Sequence, residues 1–144
     1  MFDKTLALNR RCAWEMITEI NTRLLRADIN FDEVLFSDCL KELEQFVHKA
    51  RLIGKKTPVS PIEQRGLGKS IMTLLKETIY PFIQKWRNDF LFYWKHQGKN
   101  RENPFLCQKA YPKYSLFLEE WQALQEEIDE YYISVFLPCI SDKE

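Results

Sequence analysis

From Ser60 to His96 the chain reads SPIEQRGLGKSIMTLLKETIYPFIQKWRNDFLFYWKH, and no other stretch limits the fold so strongly. Leu67, Ile71, Leu74, Leu75, Ile79, Phe82, Ile83, Trp86 and Phe90 recur at steps of three and four, which places them on one face of a helix. Ser60-Pro61-Ile62-Glu63 has the form of a capping box, with proline at the first helical position. Gly66 and Gly68 weaken the opening turns by about 1 kcal/mol each relative to alanine. Pro81 has no N–H to give the Glu77 carbonyl. The apolar stripe nevertheless keeps its phase across Pro81, so one long, kinked helix is expected.

The flanking segments repeat the pattern. A first helix is expected over about Lys4–Arg26, burying Leu6, Ala13, Trp14, Ile17, Ile20 and Leu24, with Glu19 and Arg23 paired one turn apart. A second is expected over about Asp32–Ile53 through Leu35, Cys39, Leu43, Phe46, Val47 and Ala50, and Gly54 should stop it. Gln97 to Tyr111 reads as a loop, because Gly98, Asn100, Asn103 and Pro104 interrupt any period. A last helix is expected from Pro112 to about Leu137, with Phe117, Trp121, Leu124, Ile128, Tyr131, Tyr132, Val135 and Phe136 inward. Pro138 should end it, leaving a short polar tail at 139–144. The resulting expectation is an all-α single domain spanning 1–144, an antiparallel four-helix bundle with a proline-kinked long central helix.

Composition enters through charge. Net charge is zero, yet residues 1–40, 41–113 and 114–144 carry −2, +9 and −7. Either the basic middle meets the acidic last helix inside the fold, or it forms a patch for a polyanion. Cys12, Cys39, Cys107 and Cys139 are widely spaced and follow no signal-peptide pattern, so reduced, core-filling cysteines in a cytoplasmic protein are expected. The longest apolar run is too short for a membrane span.

Chemistry is hard to place. His48 and His96 are the only histidines and neither has a recognised ligand spacing, so no metal and no cofactor is expected. Glu15 and Glu19, one turn apart, could serve acid–base work, but a solvated helix face gives the same spacing. Gly66-Leu67-Gly68-Lys69-Ser70 lacks the first glycine of a phosphate loop. No catalytic residue is assigned.

The mixed end of the central helix is more informative. Trp86, Phe90, Phe92, Tyr93, Trp94 and Lys95 form an aromatic-basic ridge. Phe90-Leu91-Phe92-Tyr93-Trp94 is an unbroken apolar run, and one helix cannot bury every side of it. Aromatic surface rimmed by cations suits a protein partner, in a hetero-complex or a homodimer. The alternative is a nucleic-acid-binding module using Lys85, Arg87, Lys95, Lys99 and Arg101 beside the stacking rings. Apolar area exceeds charge here, which favours protein over nucleic acid.

Two stretches also carry a resemblance. Cys12-Ala13-Trp14-Glu15 with Glu19-Ile20-Asn21-Thr22-Arg23, and Tyr80-Pro81-Phe82-Ile83-Gln84-Lys85-Trp86, resemble motifs of small, largely uncharacterised bacterial helical proteins. Tyr80 stands where that pattern has Arg before Pro, and Arg87 where it has His after Trp. Such proteins look like accessory components of defence systems, including CRISPR-associated and caspase-like protease systems. The resemblance implies a helical accessory protein in antiviral defence and no catalytic residue. The combined expectation is a non-enzymatic adaptor that binds another protein through the ridge.

Overall fold

A computed structural model describes residues 4–59, 66–97 and 103–141, and all regular structure among them is helical. The helices are α1 (Lys4–Thr22), α2 (Phe36–Lys56), α3 (Leu67–Thr73), α4 (Tyr80–Gln97), α5 (Pro104–Lys109), α6 (Tyr114–Tyr131) and α7 (Leu137–Ser141). Two π-helical segments, Leu74–Ile79 and Tyr132–Phe136, join α3 to α4 and α6 to α7. Backbone angles at Thr73, Leu74, Tyr80, Tyr131, Tyr132 and Leu137 stay right-handed helical, so each join is a continuous rod. No helix among the described residues is long and apolar enough to cross a membrane.

Each rod solves the same problem. The ring of an internal proline collides with the carbonyl four residues back and supplies no N–H. In the first π segment the Tyr80 N–H reaches back to the Leu75 carbonyl, and in the second the Leu137 N–H reaches the Tyr132 carbonyl. Each wide turn lies immediately upstream of its proline and gives the ring room. Pro138 therefore does not end the last helix: α7 runs through it to Ser141, and the expected tail is partly helical. The wide turn also delays the apolar stripe. Steps of about 3.6 residues from Leu67 would turn residues 78, 85 and 89 inward, whereas Ile79, Trp86 and Phe90 are the buried ones.

The nine stripe residues from Leu67 to Phe90 are all buried. On α1 the buried set is Cys12, Ala13, Met16, Ile17 and Ile20, and Trp14, expected inside, is 58% exposed. The true stripe passes to either side of Trp14, through Ala13 before it and Met16 two residues after it. The α2 stripe from Cys39 to Ala50 is buried as expected. Gly54 does not stop α2, which continues to Lys56; Thr57 closes it, its N–H and hydroxyl both donating to the Gly54 carbonyl. The Ser60–Glu63 capping box lies outside the described residues.

Helix α1 packs on α2 and α7, α2 on α3 and α4, and the first π segment on α6. Phe36 is the hub of the core. Its ring stacks on Phe117 at 3.8 Å and lies within 5.5 Å of Phe31, Phe90 and Tyr114. Aromatic pairs of this kind add about 0.5–1.5 kcal/mol each beyond burial.

The short α5 replaces part of the expected loop. Asn103 and Pro104, read as breakers, are its cap and first residue: the Asn103 Oδ1 accepts from the Phe105 and Leu106 N–H groups. This helix delivers Gln108, fully buried, to the start of α2. Gln108 Nε2 donates to the Phe31 and Val34 carbonyls at 3.2 and 3.1 Å, and its Oε1 accepts from the Phe36 N–H. Leu35 has no capping side chain, so Gln108 caps α2 from another part of the chain.

Candidate protein-binding face on α4

The phase of α4 divides its aromatic run. Trp86 and Phe90, expected on the ridge, are core residues at 1% and 0% exposure and offer no surface to a partner. Trp86 packs on Phe117 and donates from Nε1 to Glu120 Oε1 at 3.1 Å. Tyr93 and Trp94 are half-buried: the Tyr93 hydroxyl donates to the Cys107 carbonyl at 2.7 Å, and Trp94 stacks on Phe90. Phe92 points the other way and is 67% exposed, with Leu91 and Lys95 also on the outside. His96 packs one turn along on the Phe92 ring, the centroids 4.2 Å apart.

Phe92, Tyr93 and His96 form one wall of an open groove of about 660 Å³. The other wall is Tyr111, Pro112 and Lys113, with Lys85, Asn88 and Asp89 along the base of α4. Sequence reasoning missed this second wall because Tyr111 to Lys113 was read as the end of a loop and the start of a helix. In the structure α6 begins at Tyr114, and Tyr111 is buried against Phe90, Tyr93 and Trp86.

Asp89 fixes the groove's shape. It accepts from the Lys113 ammonium and the Tyr111 hydroxyl, and these two bonds hold its carboxyl below the ordinary 3.8. Burial, then the hydrogen bond to Asp89 and its charge, push the Tyr111 hydroxyl well above its usual range, so it remains a donor. Among the cations of the nucleic-acid alternative, Lys85 is paired with Glu120 at 2.5 Å and Arg87 with Glu44 at 3.3 Å. Lys95 is exposed, and Lys99 and Arg101 lie outside the described residues. The carboxylates considered for acid–base work are also engaged, Glu15 with Lys56 and Arg11, and Glu19 with Arg23. Arg23 further reaches Glu42 and Gln45, which ties α1 to α2.

Among the described residues no three metal-ligating side chains cluster. Cys12, Cys39, Cys107 and Cys139 are free thiols, the first three buried. Burial pushes the Cys39 thiol up to about 12, which leaves it inert as a nucleophile at neutral pH. No protein-family model, curated protein or solved structure matches this chain.

Proposed function

We propose that this chain is a non-catalytic adaptor that binds another protein through the outer face of α4. Phe92 would insert into the partner as the aromatic anchor, with Lys95 and His96 at its rim. Tyr93 would lie in the groove wall, and Trp94 would stiffen the helix from behind. The observation that carries this reading is Phe92 itself: a large ring two-thirds exposed beside a groove. Buried aromatic anchors ringed by polar groups are where binding energy concentrates. A partner is favoured over nucleic acid because Lys85 and Arg87 are already matched by Glu120 and Glu44, and unmatched cations are what phosphate binding needs.

The same reading takes α1, α2, the α3–α4 rod and the α6–α7 rod as an antiparallel four-helix bundle bent at Pro81, with α5 as a clip. The free thiols suit a reducing, cytoplasmic setting. The resemblance to accessory proteins of CRISPR-associated and caspase-like protease systems supplies the biological context, bacterial defence. Engagement of Glu15 and Glu19 in ion pairs supports a non-enzymatic role.

The test is a tagged pull-down from the native host at low and high salt, with a nuclease-treated control and the Phe92→Ala variant alongside. A stoichiometric protein that survives salt and nuclease but is lost with Phe92→Ala is expected. Capture unchanged by Phe92→Ala, or recovery only of salt-sensitive nucleic acid, would sink the reading.

A further inference from the structure

The α3–α4 rod packs against α2 on one flank and, through its first π segment, against α6 on another, and a groove opens on each flank. The groove against α2, about 320 Å³, is floored by Ala50, Gly54, Ile71 and Leu75 and flanked by Arg51 and Lys55. Its lining holds no acidic residue. Both cations are exposed, and neither has an ion-pair partner among the described residues. The groove against α6, about 450 Å³, has the opposite sign: Glu127 and Glu130 line it beside Tyr131, and no basic residue does. These two carboxylates are also exposed and unpaired among the described residues. Burial first, then the charges of Glu77, Glu127 and Glu130, push the Tyr131 hydroxyl above its usual range, which brings Glu77 to this flank as well.

On the ridge between the grooves stands Met72, 59% exposed, and one turn on the exposed Lys76 precedes Glu77. An outward methionine is an adaptable contact for another apolar surface. A phosphate-rich partner, whether nucleic acid or anionic bilayer, would suit Arg51 and Lys55 but be repelled by Glu77, Glu127 and Glu130 on the neighbouring flank. A surface with a positive and a negative flank does match itself. Rotation by a half-turn about an axis parallel to the rod carries each basic groove over the acidic groove of another copy. The two Met72 side chains then meet near the axis.

We propose that this face joins two copies of the chain in a two-fold dimer, Arg51 and Lys55 of each facing Glu127 and Glu130 of the other. Sedimentation of the purified protein over a dilution series should show a species of twice the chain's mass, weakened by added salt. Two double variants carry the test, Arg51→Glu with Lys55→Glu, and Glu127→Lys with Glu130→Lys. All four positions are exposed, so each protein should keep its circular dichroism. Alone, each variant sets like charges against each other at both contacts, and its association constant should fall at least about hundredfold. Mixed one to one, the two variants restore both contacts and should form a heterodimer as tight as the original dimer. Phe92 lies roughly 30 Å further along the rod, so Phe92→Ala should leave the dimer intact. A protein that stays monomeric at every concentration would overturn the proposal, including one that instead sediments with phosphatidylserine vesicles. So would dimers that persist in either variant, a mixture of folded variants that fails to pair, or a dimer lost with Phe92→Ala.

Discussion

Trp86 and Phe92 stand on the same helix six residues apart, and their surroundings are opposite. Trp86 touches Phe82, Tyr111 and Phe117 and is closed off from water, whereas among the described residues His96 is the one ring that packs on Phe92. Residue type cannot tell them apart, because both are large aromatic residues in the same mixed aromatic-basic segment. Phase can. About 100° per residue over six residues leaves Phe92 roughly 120° around α4 from Trp86, off the buried stripe. A run of aromatic and basic residues is therefore two surfaces interleaved, one for the core and one for solvent.

The sharpest way to break the comparison is to truncate each ring and measure urea unfolding. Trp86→Ala should cost about 3–5 kcal/mol, the usual loss for a buried aromatic, and it also removes one of the two bonds that Glu120 accepts, the one from Lys85 remaining. A loss below about 1 kcal/mol would mean that the inner face of α4 is not packed as described. Next in size is Gln108→Leu, which deprives the Phe31 and Val34 carbonyls and the Phe36 N–H of their partner. About 1–3 kcal/mol should go. Because Phe36 packs on Phe90, looser near-ultraviolet aromatic signals should accompany that loss.

Smaller still is the contribution of Asp89. Its folded carboxyl titrates below its unfolded value, so the stability it lends is present in full above the ordinary carboxylate range. That stability fades as pH falls through the depressed folded value. Asp89→Asn should flatten the acid side of a stability–pH profile and leave its shape above pH of about 6 unchanged. An unaltered acid limb would show that the Lys113 and Tyr111 bonds do not hold in solution. Smallest of all is Phe92→Ala, expected to change stability by no more than about 0.5 kcal/mol while removing partner capture. A large loss of stability would move Phe92 into the core and erase the contrast with Trp86.

Where the sequence was legible, a strong period spoke alone. The stripe from Leu67 to Phe90 and the one from Phe117 to Phe136 lie inward almost residue for residue. The Glu19–Arg23 pair forms at 3.0 Å as its spacing implies. The failures came where one residue type answers to two physical roles. Trp14 looked like core because it is large and apolar, but Cys12 and Met16, weaker hydrophobic signals, hold the inner positions. Asn103-Pro104 looked like a break and is a helix start. Pro138 looked like an end, although Pro81, the same residue in the same relation to its stripe, had been read as internal. The groove was invisible because its walls, α4 and Tyr111–Lys113, meet only in the folded chain, through the bonds of Asp89 and the packing of Tyr111 on Trp86, Phe90 and Tyr93.

The two wide turns set a rule for how chains of this kind can diverge. Each holds one residue more than a regular helix needs at that point, and the first rests on α6 while the second rests on α1 and α3. Dropping a residue from Leu74–Ile79 would shorten the rod by little, yet everything after it would rotate by about 100°. The solvent side of α4 would then turn towards the core. Length changes in the connections would be silent by comparison. In an alignment of true relatives, gaps should therefore fall between rods, and the spacing from Leu75 to Phe92 should be kept even where the residues are not.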